Sequence, residues 1–358
     1  HRGLSERIKV PGGSAPGELQ PRERIDMRVA VIGAGSWGTA LALVLAEAGH
    51  EVVLWARTPE VARAINEEHR NPRYLSDYRL PSAIRATAEY AAACDGAEAV
   101  VIVTPSAALR SVAADLRKLV APATPIVICS KGVEEKTGLL PIDTFAAELG
   151  NAGRMAVLSG PTHAEEVICR KPSAAVVASA DEGTALFFRD LFATRFFRTY
   201  TSDDPVGVEL CAAFKNVIAI AVGISYGMGF GDNTAAMLIT RGLAEMSRMV
   251  VAAGGEALTC MGLGGAGDMV VTCMSQHSRN RRFGEQYVAR GLTLDDFTAQ
   301  THMVVEGAIA CKTLATLEAR YGVDLPLTDT VRSVVWEGVN PREAAAALID
   351  RPLKSEFY

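Results

Sequence analysis

Six residues, Gly33-Ala34-Gly35-Ser36-Trp37-Gly38, place three glycines at the spacing Gly-x-Gly-x-x-Gly. An unbroken apolar run, Val29-Ala30-Val31-Ile32, precedes them, and Thr39 to Ala46 behind them is a stretch of mostly small apolar residues. A second apolar run, Val52-Val53-Leu54-Trp55, follows. That order reads as strand, tight turn, helix and second strand. The first glycine makes the turn, the second lets backbone approach a pyrophosphate, and the third lets the helix pack against the strand. Amides at the helix start then face the anion, helped by the helix dipole. A bare pattern of this kind also arises as a plain structural turn; the flanks favour a dinucleotide.

From there short apolar runs alternate with helical patterns. Strands are predicted at Arg28–Ile32, Glu51–Trp55, Ala99–Val103, Pro125–Cys129, Met155–Leu158, Ala174–Ala178 and Phe196–Tyr200. Helices are predicted near Ser36–Ala48, Pro59–Glu68, Ala107–Leu119, Leu139–Leu149 and Glu182–Phe192. Runs such as Val100-Val101-Ile102-Val103 lack polar alternation, as strands do when helices cover both faces of a parallel sheet. The fold class is therefore α/β, a Rossmann-type doubly wound N-terminal domain. Beyond Asp203 the character changes to helix, including Val208–Ser225, Thr234–Ala253 and Glu306–Arg320. The expected division is a dinucleotide-binding domain over 27–207 and an all-helical C-terminal domain over 208–358. Residues 1–26 hold three prolines and four glycines with no apolar period, and read as a disordered tail or an artificial leader.

A length of 358 residues suits two domains, each with its own core. The net charge of −5 does not suggest nucleic-acid or membrane-surface binding. No apolar run approaches the roughly 20 residues that cross a bilayer, so no transmembrane segment is expected and the cytoplasm is the default. The seven cysteines are scattered, with no Cys-x-x-Cys spacing, and read as buried reduced thiols. No metal site is expected.

Lys215 is the first candidate for chemistry. From Leu210 to Asp232 it is the only formal charge before Asp232. Burying a lysine disfavours its charged form and lowers its pKa, which is how a lysine becomes an acid/base group near neutrality; the alternative is a side chain snorkelling to solvent. Lys131 lies just past the strand at Pro125–Cys129, where ligands of open α/β sheets sit. There it can polarise a carbonyl, or merely be a solvated loop residue. Gly160-Pro161-Thr162 reads as a turn into a capped helix. Gly262-Leu263-Gly264-Gly265-Ala266-Gly267 allows close backbone approach, and Asp268 opens a helix, where an N-cap is the plain reading. Ser278-Arg279-Asn280-Arg281-Arg282 offers planar donors that suit a phosphate, or a solvated basic patch.

Dinucleotide folds that prefer NAD carry an acid at the end of the second strand. Here Leu54-Trp55-Ala56-Arg57-Thr58 has none. Arg57 can pair with a 2′-phosphate, which predicts that NADPH is accepted.

Together these motifs resemble the NAD(P)-dependent sn-glycerol-3-phosphate dehydrogenases of the bacterial type. The resemblance runs from Met27 to the C-terminal region. It is carried by the glycine turn with Thr39-Ala40, Trp55-Ala56-Arg57, Asn71-Pro72-Arg73-Tyr74-Leu75, Ser130-Lys131-Gly132, Gly160-Pro161-Thr162, and Glu209-Leu210 through Lys215-Asn216-Val217. Further on it includes Gly267-Asp268 with Thr272-Cys273, Ser278-Arg279-Asn280, and Val305-Glu306-Gly307. Ser76, His163 and Met269 stand where the family usually has proline, phenylalanine and leucine.

The resemblance implies reversible NAD(P)H-dependent reduction of dihydroxyacetone phosphate to sn-glycerol 3-phosphate, a backbone for glycerophospholipids, by a homodimer. It implies Lys215 as proton donor and acceptor, assisted by Lys131 and Asp268. Substrate positions carried over are Lys131, Gly160, Thr162, Lys215, Asp268, Ser278, Arg279 and Asn280. Cofactor positions, for NADP(H) or NAD(H), are Ser36, Trp37, Arg57, Lys131, Ala164, Arg279, Val304 and Glu306, beside Gly33, Gly35 and Gly38 of the turn. A β-hydroxyacid dehydrogenase or ketopantoate reductase, and a non-catalytic dinucleotide-binding regulator, are the competing readings; the arginine cluster argues for a phosphorylated substrate.

Overall fold

The computed structural model describes residues 26–301, 304–352 and 355–356. The expected leader lies, apart from Asp26, outside them. Among these residues the first elements are β1 (Arg28–Ile32), the glycine turn and α1 (Ser36–Ala48), then β2 (Glu51–Trp55), α2 (Pro59–Glu68), β3 (Ile84–Thr87) and α3 (Tyr90–Cys94). It continues through β4 (Ala99–Ile102), α4 (Leu109–Leu116), β5 (Ile126–Ile128), α5 (Pro141–Leu149) and β6 (Met155–Ser159). Next come α6 (Ala164–Val167), β7 (Ser173–Ala178), α7 (Glu182–Phe192) and β8 (Phe197–Ser202).

The strands form one sheet in the order β3-β2-β1-β4-β5-β6-β7-β8. Neighbours are parallel except β6 and β7, which pair antiparallel. Successive strand residues face opposite sides. Val29 and Val31 accordingly join a core with α1, α2, α6 and α7, and Ala30 and Ile32 join one with α3, α4 and α5. Burial on both sides explains why the strands read as continuous apolar runs. The sequence places no strand between Trp55 and Ala99, yet β3 lies there. This edge strand has four residues and buries only Ile84 and Ala86, too little for an apolar run to show.

Past β8 the described chain is helical: α8 (Pro205–Gly227), α9 (Asp232–Ala252), α10 (Asp268–Met274), α11 (Arg279–Arg290) and α12 (Leu294–Thr301). Then follow α13 (Glu306–Tyr321), α14 (Pro326–Glu337) and α15 (Pro341–Ile349). The axis is α8. Pro205 occupies its first turn and Asp204 caps it, accepting from the Gly207 amide at 2.8 Å. Every residue from Gly207 to Ser225 is buried.

This helix corrects one expectation. With 23 residues and a mean hydropathy of 1.7 over its apolar window, α8 is long and apolar enough to cross a membrane. Lys215 breaks the apolar run in sequence but not the helix. The window is wholly covered within the protein, and α9, α11 and α13 are among the helices packed on α8. A Cβ on Gly284 would lie 2.3 Å from the Ile220 carbonyl oxygen, and one on Gly307 2.4 Å from that of Asn216. Bare glycines therefore let α13 close onto α8 at Asn216, the residue after Lys215, and α11 close onto it about one turn further on. Six of the seven cysteines are buried free thiols, whereas Cys169 is exposed.

Candidate active site

The strand order reverses between β1 and β4, and the glycine turn leaves β1 at that crevice, where open α/β sheets bind ligands. Gly33 has φ of +124°, and a Cβ on it would lie 2.7 Å from the Val103 carbonyl oxygen. A Cβ on Gly38 would lie 1.8 Å from the Gly33 carbonyl oxygen, so turn and helix touch only because both residues are bare. At Gly35 a Cβ would meet nothing within 4 Å. That open space is where a pyrophosphate needs to come. No side chain caps α1, which leaves its first amides for an anion. The buried Trp37 Nε1 and Thr104 Oγ1, both on the cleft wall, have no partner among the described residues. Buried polar atoms left unpaired in this way point to a ligand, and the turn fits a dinucleotide.

From the turn a cleft of about 610 Å³ runs to the start of α10 and α11, a volume typical of small-molecule sites. Every predicted site residue lines it except Gly160. A Cβ on Gly160, which has φ of +151°, would lie 2.8 Å from both the Ala174 carbonyl oxygen and the Ala175 Cα. Gly160 thus lets the chain pass β7 rather than facing the cleft. Nor does Thr162 cap α6: its Oγ1 donates back to the Gly160 carbonyl at 3.1 Å, and the N-cap position is His163, whose side chain makes no capping bond.

At the inner end three charges meet. Lys215 Nζ donates to Asp268 Oδ1 at 2.5 Å and to Thr272 Oγ1 at 3.0 Å. Lys131 Nζ donates to Asp268 Oδ2 at 2.7 Å. Ser159 Oγ, at the end of β6, lies 3.4 Å from Asp268 Oδ2. The turn Leu263–Gly267 precedes α10, and its N-cap is Gly267; Asp268 itself reaches the two lysines. Thr272 follows one turn later on the same face of α10.

The side chains of Lys215 and Asp268 are 7% and 3% exposed. Burial pushes Lys215 down to about 7, with the Lys131 charge helping and Asp268 opposing. For Asp268, burial favours protonation, but the two ammonium groups outweigh it and hold the carboxyl at about 2. Burial also opposes the charge of Lys131, yet Asp268 keeps its pKa above the usual lysine value. One carboxylate between two lysines therefore leaves one strongly held proton and one exchangeable near neutrality. His163, on the cleft wall, is lowered by burial and then by Lys215.

Around this centre, Asn280 is a clamp: its Nδ2 donates to Asn216 Oδ1 at 2.9 Å and its Oδ1 accepts from the Gly307 amide at 2.9 Å. Ser278 caps α11, accepting from the Arg281 amide at 3.3 Å. Arg279, in the first turn of α11, is exposed and turned to the cleft. Burial raises Glu306, against the pull of Arg279, Lys131 and Lys215. Val304 is at the exposed rim and Ala164 in the wall. Arg57 lies past the end of β2 with no carboxylate paired to it among the described residues.

Sequence reasoning gives several residues of the site no role. Thr272 is recoverable once Asp268 is known to open a helix, being four positions on. Ser159 carries no local signal beyond ending a strand. Arg73 and Tyr74 line the cleft from the stretch after α2, a stretch the sequence marks only as part of a motif. Among the described residues, no group of three or more His, Cys, Asp or Glu side chains is placed to hold a metal ion.

Comparison with known proteins covers both halves. A family model for the N-terminus of NAD-dependent glycerol-3-phosphate dehydrogenase matches residues 28–185, and one for its C-terminus matches residues 204–346. A glycerol-3-phosphate dehydrogenase [NAD(P)+] of Streptomyces griseus is 47% identical over 331 residues, 92% of this chain and 98% of that protein. The crystal structure of glycerol-3-phosphate dehydrogenase from Coxiella burnetii superposes with a TM-score of 0.87 at 37% identity, covering 91% of this chain and 99% of that one. A ketopantoate reductase from Ralstonia eutropha shares the fold, at a TM-score of 0.58 and 18% identity over 89% of this chain and all of its own. The glycine turn, the lysine pair and the helical half that joins them thus occur together over the full span of both models, and the chain belongs to the NAD-dependent glycerol-3-phosphate dehydrogenase family.

Proposed function

We propose that this chain catalyses the reversible reduction of dihydroxyacetone phosphate to sn-glycerol 3-phosphate. The observation that carries the reading is the Lys131–Asp268–Lys215 cluster at the inner end of the cleft that begins at the glycine turn. Bound NAD(P)H supplies the hydride that C2 accepts. Gly35, Ser36 and Trp37 at the start of α1 hold the pyrophosphate side, with Ala164, Val304 and Glu306 along the walls. Arg57 meets a 2′-phosphate, so NADPH serves as well as NADH; a strong preference for NADH in KM ratios would remove that role.

In reduction the Lys215 ammonium gives its proton to the oxygen on C2 as negative charge develops there. In oxidation neutral Lys215 takes it back. Asp268 stays ionised and holds both lysines in place, and Lys131 keeps its proton and polarises the carbonyl. Arg279, in the first turn of α11, binds the substrate phosphate, fixing C2 at the reacting distance. Asn280 acts by locking α11 and α13 to α8, Ser278 by capping α11, and Gly160 with Thr162 by shaping the neighbouring turn.

In this reading residues 27–207 form the dinucleotide domain and 208–358 the substrate domain. Exposed Leu258 and Met261, 77% and 67% accessible on the helical side, support assembly as a homodimer. The product suits glycerophospholipid synthesis in the cytoplasm. Following NADPH absorbance with dihydroxyacetone phosphate and then with ketopantoate tests the activity: oxidation with the first alone is expected, and oxidation with the second alone overturns it.

A further inference from the structure

Asn71 takes no part in the cluster described above. It lies between α2 and β3 and is 1% exposed. Its carboxamide is fully used. Nδ2 donates to the Ala34 carbonyl at 3.0 Å and to Thr39 Oγ1 at 2.9 Å. Oδ1 accepts from the amides of Arg73 at 3.1 Å and Tyr74 at 3.2 Å. Ala34 stands between the first two glycines of the turn and Thr39 in the first half of α1, whereas Arg73 and Tyr74 line the cleft from a separate loop. One side chain therefore ties its own loop to the glycine turn and to α1 beside the cofactor cleft.

The loop's backbone supports the same conclusion. His69 and Leu75 on either side of Asn71 have φ of +54° and +56°, the left-handed region that residues with bulky side chains seldom enter. Such conformations persist where the surroundings over-determine them, and they gather at ligand sites. Leu75 packs against the sheet core, and Cys169 Sγ donates to Tyr78 Oη at 2.9 Å, anchoring the far end of the loop.

We propose that Asn71 is a positioning residue for the dinucleotide, holding the phosphate-facing turn and the Arg73–Tyr74 wall in fixed relation so that both meet the cofactor together. The assignment rests on the cofactor reading above. Only a carboxamide offers two donors on one side and an acceptor on the other. Asn71→Asp keeps the acceptor but sets a carboxylate against the Ala34 carbonyl and removes the donor to Thr39 Oγ1. Thr39→Val deletes a single partner at nearly constant volume.

The test is titration of NADPH by quenching of tryptophan fluorescence, alongside steady-state kinetics and thermal melts without cofactor. Asn71→Asp is expected to raise the NADPH Kd about tenfold, the loss of one to two polar contacts. Its kcat at saturating cofactor and its KM for dihydroxyacetone phosphate are expected to stay within about threefold. Thr39→Val and Arg73→Ala are expected to raise Kd about threefold each with little change in melting. An unchanged Kd in Asn71→Asp, or a fall in kcat and in both substrate affinities that tracks lost melting temperature, overturns the assignment. Should Asn71→Asp not fold, unchanged Kd values in the other two variants overturn it equally. Failure of the unmutated protein to bind NADPH or NADH would instead bring down the cofactor reading and the inference with it.

Discussion

Two carboxyl groups in the helical half are equally buried and behave oppositely. Asp268 is 2% exposed and Glu245 is 3% exposed. Glu245 accepts from the Leu327 amide at 2.5 Å and from the Thr328 amide at 3.2 Å, closing the N-terminus of α14, and burial lifts it to about 7. Asp268 has two ammonium groups and is held at about 2. Glu209 follows Glu245: it accepts from the Ile142 amide at 2.8 Å, and burial raises it well above the usual range. Burial alone thus marks a helix brace, and burial beside opposite charge in an open cleft marks chemistry.

Mutating the two places should separate them. Lys215→Ala is expected to lower kcat by about a thousandfold, the range of general acid–base catalysis, while leaving the NADPH Kd unchanged. Normal turnover would end its assignment. Asp268→Asn should lower kcat about a hundredfold, because two lysines without a counter-charge shed the exchangeable proton. Turnover equal to the parent would show that the lysines need no anion. For Arg279→Ala, KM for dihydroxyacetone phosphate is expected to rise roughly ten- to a hundredfold, the contribution of charged hydrogen bonds; an unchanged KM counts against phosphate binding there.

The pH profile is a gentler probe. With Lys215 at about 7, kcat for ketone reduction should fall as pH rises through 7, and kcat for alcohol oxidation should rise over the same range. A reduction rate flat from pH 6 to 9 would place the proton elsewhere. Glu245→Gln should leave all kinetic constants in place and change only stability. Its folded pKa lies above the usual value, so the folded state holds a proton that the unfolded chain releases between about 4.5 and 7. That stabilisation is complete below 4.5 and lost as pH rises through 7. The melting temperature of the variant relative to the parent should therefore climb across this window; a constant difference would refute the raised pKa.

The sheet was readable wherever strands are covered on both faces, since apolar runs such as Val100 to Val103 need no alternation to stand out. β3 was hidden because an edge strand buries half its residues. The glycine turn and Lys215 are local signals, one in spacing and the other a lone charge in an apolar helix. What joins them is not local: Lys131 and Asp268 are 137 positions apart, and their contact exists only because α10 folds back to the sheet. Glu209 and Glu245 are invisible for the converse reason. An acidic residue on a helix looks solvated until the helix end that it caps is known. Asn71 was legible as part of a motif, but nothing in the sequence says that its amide faces two ways.

The reversed pairing of β6 with β7 sets where Lys215 stands. Because β7 and β8 run against β6, Ser202 ends level with Ala178 and hence with Val157, short of the cleft end of β6 at Ser159. The chain must climb back, and it does so as a helix. Ten residues separate Pro205 from Lys215, about 15 Å at 1.5 Å per residue, roughly twice the 7 Å or so of the two steps from Val157 to Ser159. Removing one residue from that stretch of α8 would shorten it by only about 1.5 Å but swing Lys215 about 100° around the axis, turning the ammonium into the helical core.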